Sequence, residues 1–275
     1  SLTGDALRMP LMLQLHGLVP DDPDGFRWSH SAADDLRKIR KSGFTCTIAP
    51  GPDQLARFEH EFSGPALRAR HETEVIIRTG ARLRQEASRP GMEQVRLWLA
   101  GQWVGTMLAQ PVDGTYYLHT IGWLHGDDQW LRRGVVTGLY WFSILRAREL
   151  GLQRITFGAV APYLEDGLLQ FKGKWGGVIE SGCQKFGDMH LLLDPTHATC
   201  RRFLERTSLV AWGADGRFVV FSARRPGSVR IPATIASGLA RWYRWRQPDD
   251  PAGITDHADV PYSLRAHVIP EPIAS

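Results

Sequence analysis

The sequence has 275 residues, of which 43% are hydrophobic and 23% are charged; this length allows one large domain or two modest ones, and the composition is that of an ordinary soluble globular protein. The formal net charge of +4 and the pI of about 9.1 permit a phosphate-bearing partner, but a surplus this small does not by itself indicate nucleic-acid binding. No run approaches the roughly 18 apolar residues that cross a bilayer, which argues against a membrane-spanning protein.

The three cysteines, Cys46, Cys183 and Cys200, are scattered and odd in number, and they form no C-x-x-C pair. This usage is not that of a disulfide scaffold or of a cysteine-rich zinc site. The amino-terminal segment also lacks the layout of a signal peptide. We therefore expect a cytoplasmic protein of bacterial type, in a reducing compartment.

The first third of the chain predicts a strand followed by helices. The run LMLQLHGLV is typical of a strand, and AADDLRKIRKSG predicts a helix capped by Ser29 or Ser31. Its acids come early and its bases late, and Gly43 stands where a helix ends. FTCTIA then predicts a short strand, GPDQ opens another helix, and TEVIIRTGARLRQEAS predicts a further helix that stops near Pro90.

The middle of the chain changes from helical to strand-like patterns. MEQVRLWLA, QWVGTMLAQ and TYYLHTIGWL are separated by turns and predict an antiparallel meander. VVTGLYWFSILRAREL has helical periodicity and ends at Gly151. LQRITFGA follows a helix, so we expect it to pair parallel with the preceding strand. The glycine-rich GLLQFKGKWGG then predicts a loop, and VIESGCQKF one more strand.

The last part of the chain predicts a capped helix in PTHATCRRFLERTS and a hairpin in LVAWG-ADG-RFVVFSA. A final helix is expected over residues 231–246, and the tail from Gln247 is expected to be irregular because it is rich in Pro, Asp and Ala. The elements together predict an α/β protein.

The order of meander, loop, helix, strand, loop and strand resembles the acetyltransferase-type (GNAT) fold. Three segments resemble the FemAB family, mainly its second domain, over roughly residues 36 to 180. They are LRKIRKSGFTCTI, then TYYLHTIGW with GLYWFSILRARELGLQRITFG, and GLLQFKGKWGG, which is similar to the family signature G-L-x-x-F-K-x-x-[FW]-G. The resemblance implies a GNAT-like mixed sheet, mostly antiparallel and flanked by helices.

The resemblance also suggests a domain organisation. Residues 31–225 are expected to form a GNAT/FemAB-like transferase domain. Residues 1–30 are expected to be an amino-terminal remnant or extension, because a complete first FemAB domain does not fit there. Residues 226–275 are expected to hold the carboxy-terminal helix and the irregular tail.

The FemAB family transfers amino acids from aminoacyl-tRNA to an amine, and relatives use acyl-thioester donors. The resemblance therefore implies a biosynthetic, amide-forming transferase whose donor is aminoacyl-tRNA or acyl-CoA and whose acceptor is a small-molecule or peptide amine. RRGVVTG lacks the [QR]-x-x-G-x-[GA] spacing of acetyl-CoA enzymes, and arginines cluster in LRKIRK, RLR, RRF and RWYRWR. These features favour tRNA slightly as the donor. The alternative is a non-catalytic binding module that has kept the fold and lost the chemistry.

Lys172 is the first candidate catalytic residue. Amide formation passes through a tetrahedral oxyanion, which a fixed ammonium group can stabilise, and the resemblance implies that this lysine contacts the transferred acyl group. The glycines around it let the backbone approach a ligand. The alternative is a solvated surface loop. Asp166 is a second candidate, either holding the acceptor ammonium or orienting Lys172, unless it is merely a turn residue.

His119 is the third candidate catalytic residue, because Tyr117 and His119 share one face of a strand and the imidazole could take a proton from the attacking amine. The alternative is a packed strand histidine. The remaining candidates are Arg37, Arg40, Arg70, His71, Tyr117, Lys174 and Trp175 for the substrate, and Arg132, Arg133 and Gly134 for a donor phosphate. No metal is expected, because the H-E-T-E stretch at residues 71–74 lacks the second histidine of H-E-x-x-H.

Overall fold

A computed structural model of the protein describes residues 6–26, 28–70, 80–183, 186–194, 197–246, 260 and 268–273. The chain divides into two compact units. We call Gly17–Gly158 the middle unit, and Ser1–His16 together with Ala159–Ser275 the terminal unit. The domain limits that the sequence suggests stay a prediction.

The strands, in chain order, are β1 (Leu7–Pro10), β2 (Leu13–Leu18), β3 (Thr45–Pro50), β4 (Glu93–Leu99), β5 (Gln102–Val112), β6 (Thr115–Trp123), β7 (Arg154–Val160), β8 (Val178–Ile179), β9 (Asp188–Leu191), β10 (Leu209–Trp212), β11 (Phe218–Ser222), β12 (Leu239–Trp245) and β13 (Val268–Glu271). The α-helices are α1 (His30–Ser42), α2 (Leu55–Arg57), α3 (Gly64–Arg70), α4 (Gly80–Ala87), α5 (Asp128–Arg132), α6 (Val135–Glu149), α7 (Gly167–Lys174), α8 (Ala198–Arg206) and α9 (Ala233–Ala236). A π-helical segment, Phe58–Ser63, connects α2 to α3.

The sheet of the middle unit is the predicted meander extended at both sides. β3, β4, β5 and β6 pair antiparallel in chain order. The turns place Ala100 and Gly101, and then Asp113 and Gly114, at positive φ, which is the backbone that two-residue hairpin turns require. β7 follows α6 and pairs parallel with β6, as predicted.

Helix α6 packs tightly in the middle unit. A Cβ atom on Gly105 would come 2.6 Å from a Val135 methyl group, so the glycine is needed for this close approach. Arg146 also donates two hydrogen bonds of 3.1 Å to the Glu93 carboxylate, which accepts a third from the Tyr116 hydroxyl at 2.5 Å. Burial raises the pKa of Tyr116, and the Glu93 hydrogen bond adds to this effect.

Helix α1 has the ends that the sequence predicts. The Ser29 side chain accepts a hydrogen bond of 3.2 Å from the N–H of Ala32. Gly43 ends the helix in the left-handed conformation, with φ of 75°. Both features satisfy backbone groups that a helix end leaves without intrahelical partners.

The terminal unit has a sheet of its own in the order β10-β11-β12-β13. The predicted hairpin is confirmed, because β10 and β11 pair antiparallel from Leu209 to Phe221. β12 then pairs parallel with β11 and antiparallel with β13. In the same unit β1 pairs with β9, and β2 with β8. The buried core includes Leu7, Met9, Leu209, Phe221 and Tyr243.

The carboxy-terminal helix predicted over residues 231–246 is wrong. Only Ala233–Ala236 is helical, and β12 follows it. The order of residue types in RWYRW does not alternate as in a half-buried strand, and pairing with β11 and β13 decides the conformation. The tail predicted to be irregular includes β13, and most of its other residues lie outside the described ones.

The strand predicted in LMLQLHGLV is confirmed as β2, and the residues before it form a further strand, β1, that the sequence did not predict. The strand predicted over VIESGCQKF is limited to Val178–Ile179, since a 3₁₀ turn, Ser181–Cys183, follows. Gly182 in that turn is a weak strand former.

The predicted fold class is confirmed: the protein is α/β, with mostly antiparallel sheets flanked by helices in a GNAT-like order. Among the residues that the structure covers, no helix is both long and apolar enough to cross a membrane.

Two glycines at opposite ends of α7 give a matched test of its packing. A Cβ atom at Gly173 would lie 2.7 Å from Pro232 Cγ, whereas one at Gly167 would meet nothing within 4 Å. We expect Gly173→Ala to destabilise the protein by about 1–3 kcal/mol through overpacking. Gly167→Ala should be neutral or stabilising by up to about 1 kcal/mol, because it lowers the entropy of the unfolded chain. Urea unfolding of both variants measures the difference; equal midpoints would contradict the α7–α9 contact.

Candidate functional site

Lys172 lies on a helix, not in the loop that the sequence suggests. Asp166 is the N-cap of helix α7, and its Oδ1 accepts hydrogen bonds from the N–H groups of Leu168 (2.6 Å) and Leu169 (3.0 Å). This cap stabilises a helix although the glycines of the segment favour a loop, because it satisfies two of the backbone N–H groups that have no partner at a helix start. Lys172 stands in the last turn of α7 and is only 6% exposed. The solvated surface lysine considered as an alternative is therefore excluded.

The surroundings of Lys172 keep its ammonium group only weakly compensated. Nζ donates a hydrogen bond of 2.9 Å to the backbone carbonyl of Ala159, at the end of β7. Burial lowers the pKa of Lys172 to about 8, and the Asp166 carboxylate opposes this shift. Near neutral pH the side chain is therefore mostly a cation, held in a poorly solvated environment where its interaction with a negative charge is stronger than in water.

The segment that leads into α7 is fixed to the sheet of the terminal unit. Both oxygens of Glu165 accept hydrogen bonds from Ser208, one from its N–H (2.8 Å) and one from its hydroxyl (2.6 Å). The N–H of Leu164 donates to the carbonyl of Ser208 at 3.0 Å. Gln170 donates to the carbonyls of Leu164 (2.7 Å) and Arg230 (2.8 Å). These bonds hold α7, and with it Lys172, in one orientation.

The other predicted residues near Lys172 have structural contacts of their own. Asp166 caps α7, so its proposed interaction with an acceptor ammonium would involve a carboxylate that already accepts two hydrogen bonds. Nζ of Lys174 lies 4.5 Å from the ring centroid of Phe171. Trp175 follows α7 and is 2% exposed. Substrate contacts of Lys174 and Trp175 stay predictions.

His119 belongs to the middle unit, whereas Lys172 belongs to the terminal unit. Tyr117 and His119 share a face of β6 as predicted, with ring centroids 6.5 Å apart. The imidazole Nδ1 lies 3.2 Å from Oε1 of Glu86 on α4, and this carboxylate is 5% exposed. The sequence reading missed Glu86, although one signal was available. Glu86 stands three residues after Leu83, on the face of α4 that is otherwise apolar.

Arg37 and Arg40 are already paired on the exposed side of α1. Arg37 bonds to Asp34, one turn earlier, and this bond lowers the pKa of the Asp34 carboxyl. Arg40 lies 2.5 Å from Asp24 and stacks on Trp141. An anionic substrate would have to compete with both carboxylates, and the predicted substrate contact stays a prediction.

The residues predicted to bind a donor phosphate meet where α5 ends and α6 begins. Arg132 ends α5, Arg133 stacks over Trp130 at 5.6 Å, and Gly134 precedes α6 with φ of 86°. Gly134 has no side chain to cap the helix, and an uncapped helix start is the kind of place where backbone N–H groups bind an anion. Phosphate binding at this point stays a prediction.

His71 and the side chain of Arg70 lie outside the described residues. Within the described ranges, no group of three or more His, Cys, Asp or Glu side chains could hold a metal ion. The terminal unit also has an open cavity of about 420 Å³, whose lining residues do not include Lys172; they are Val178, Ile179, Glu180, Ser181, Gly182, Arg217, Phe218, Ser237 and Gly238.

Comparison with known proteins gives no match to a protein-family model or to a curated protein. Among solved structures, the chain is similar to the C-terminal domain of a protein described as a lysylphosphatidylglycerol synthetase from Agrobacterium fabrum, with a TM-score of 0.43 and 13% identity over 57% of this chain and 49% of that one. It is also similar to L-PGS from Bacillus licheniformis, with a TM-score of 0.40 and 12% identity over 55% and 46%. The chain thus spans about half the length of each structure, and likenesses this weak carry no conclusion about its activity.

Proposed function

We propose that the protein is a transferase that moves an aminoacyl or acyl group from an activated donor to an amine and so forms an amide. The observation that carries the proposal is the buried ammonium group of Lys172. Burying a cation costs free energy, so its retention calls for a reason beyond folding. Its hydrogen bond to Ala159 uses one of three N–H donors, and the others suit an oxyanion. The FemAB-like FKGKWG sequence at this position supports the same role.

The proposed reaction needs an oxyanion stabiliser and a proton acceptor. The amine nitrogen attacks the donor carbonyl carbon, and the carbonyl oxygen gains the negative charge that Lys172 stabilises. The bond from carbon to the leaving oxygen of tRNA, or to the sulfur of a thioester, then breaks as the carbonyl reforms. The proton lost by the amine is taken by His119 or by the substrate itself, and the leaving group receives a proton.

The proposed donor is aminoacyl-tRNA, with acyl-CoA as the competing choice. The stretch RRGVVTG lacks the spacing of a pyrophosphate loop, and Gly134 in it serves as the residue before α6. Arginines remain clustered along the chain, as in RRF on α8. The acceptor is proposed to be a small-molecule or peptide amine.

The donor is tested by a transfer assay with radiolabelled total aminoacyl-tRNA and a panel of small amines and dipeptides. We expect labelled product that ribonuclease abolishes, and tRNA binding whose log K falls with log salt by about 0.7–0.9 per phosphate contacted. Product that survives ribonuclease and forms from acyl-CoA would replace tRNA with acyl-CoA. Absence of transfer from either donor would remove the transferase and favour a binding module.

The role of Lys172 is tested by Lys172→Met, which keeps the length of the side chain and removes the charge. We expect kcat to fall about 100-fold, since loss of one oxyanion donor costs about 3 kcal/mol of transition-state stabilisation, while KM changes little. Lys38→Met, on the exposed face of α1, is the control and should keep full turnover. Full turnover in the Lys172 variant would exclude this lysine from the mechanism.

The pH dependence of stability gives a second test of the buried charge. Because the pKa of Lys172 is about 8 when folded and 10.5 in its ordinary state, only the unfolded chain holds the proton between these values. The free energy of unfolding therefore rises as pH increases from about 8 to 10.5. Below pH 8 the charged Lys172 destabilises the folded protein by a constant amount of about 3 kcal/mol. We expect Lys172→Met to be more stable than the parent at pH 7, and this advantage to vanish by about pH 10.5 in urea titrations. A pH-independent difference would contradict the lowered pKa.

A further inference from the structure

Glu86 and His119 form a buried carboxylate–imidazole pair within the middle unit. Oε1 of Glu86 and Nδ1 of His119 are 3.2 Å apart, and the two side chains are 5% and 16% exposed. The carboxylate comes from α4 and the imidazole from β6, so two elements that are distant in sequence have to pack together to form the pair.

The burial of Glu86 needs compensation. Leu83 and Ala87, the other buried residues of α4, are apolar, so Glu86 places a carboxylate beside two aliphatic side chains. An ionised carboxylate in such a place is costly unless it accepts hydrogen bonds. The imidazole can supply one when its proton is on Nδ1, and the hydrogen bond at one ring nitrogen then determines which nitrogen carries the proton.

His119 also sits at an irregular point of the sheet. Ala109 pairs with Leu118 and Met107 with Ile121, so His119 and Thr120 both lie opposite Leu108. Such a bulge changes the direction of a side chain and is common next to active sites. Nε2 of His119 is buried and has no hydrogen-bond partner among the described residues, which leaves its lone pair unused.

We infer that Glu86 is a positioning residue that keeps the neutral His119 in the Nδ1–H form and so leaves Nε2 to accept a proton. When Nε2 takes the proton that the amine loses, the imidazolium forms beside the Glu86 carboxylate, which stabilises it, and the proton then passes to the leaving oxygen or sulfur. This last step rests on the proposed transferase function, whereas the tautomer itself does not. Since Nε2 is buried, a ligand has to displace the groups that cover it.

The tautomer can be measured without any substrate, by ¹⁵N NMR of the histidine ring nitrogens at a pH where His119 is neutral. We expect the parent protein to show protonated Nδ1 and bare Nε2. In Glu86→Leu, where α4 gains a fitting apolar residue, the acceptor is gone and the signal should change to the Nε2–H form that the free side chain prefers. In Glu86→Gln the amide oxygen still accepts from Nδ1, so the parent tautomer should persist. An Nε2–H signal in the parent protein overturns the inference whether or not any variant folds.

The effect of Glu86 on turnover is measured with the transfer assay. Glu86→Leu should lower kcat about 100-fold with little change in KM, a loss within the range of general-base contributions, and Glu86→Gln should restore most of it. Glu61→Gln, in the exposed pair with Arg57, is the control and should be unchanged. If Glu86→Leu keeps full kcat, the positioning role is wrong while the transferase stands. If the parent transfers nothing, the proposed function is wrong and the NMR result alone decides the tautomer.

Discussion

The desolvation of one ammonium group, that of Lys172, is the constraint around which α7 is built. The hydrogen bond to the Ala159 carbonyl does not compensate for the hydration that the cation loses on burial. The helix therefore has to be held by other contacts. Asp166 caps its first turn, Gln170 ties its middle to two carbonyls, and Gly173 packs against Pro232. These contacts offset the desolvation free energy of the buried ammonium group, which an apolar residue at this position would not have.

The Glu86–His119 pair in the middle unit shows a different way of burying ionisable groups. There a carboxylate and an imidazole lie side by side, whereas the hydrogen-bond partner that the described residues give Lys172 is a neutral carbonyl. A buried charge without a counter-charge is stabilised most by binding a ligand of opposite charge. For a buried group that already has a counter-charge, the main effect of the pair is to fix the geometry of its side chains. The two arrangements thus suit charge stabilisation and proton transfer respectively.

Local patterns predicted the elements whose signals are local, such as the meander with its glycine turns, helix α6 and the capped ends of α1. β12 could not be predicted from its own residues, because RWYRW has no period-two pattern. Its neighbour β13 comes from a proline-rich segment that does not suggest a strand. The helical state of Lys172 depends on a cap by Asp166 that the surrounding glycines conceal. Glu86 could not be linked to His119 from the sequence, because nothing in either segment encodes contact between them.

The discontinuity of the terminal unit has a consequence for the order of events during synthesis. Leu7 in β1 pairs with Leu191 in β9, so about 180 more residues have to be synthesised after β1 before its partner exists. Closing such a long loop lowers the entropy of the chain before any stabilising contact forms, so the pairing is slow. The middle unit is contiguous in sequence, so all of its residues are synthesised while β1 is still unpaired. An apolar strand such as β1, with Leu7 and Met9 destined for the core, is during that interval a target for chaperones and for aggregation.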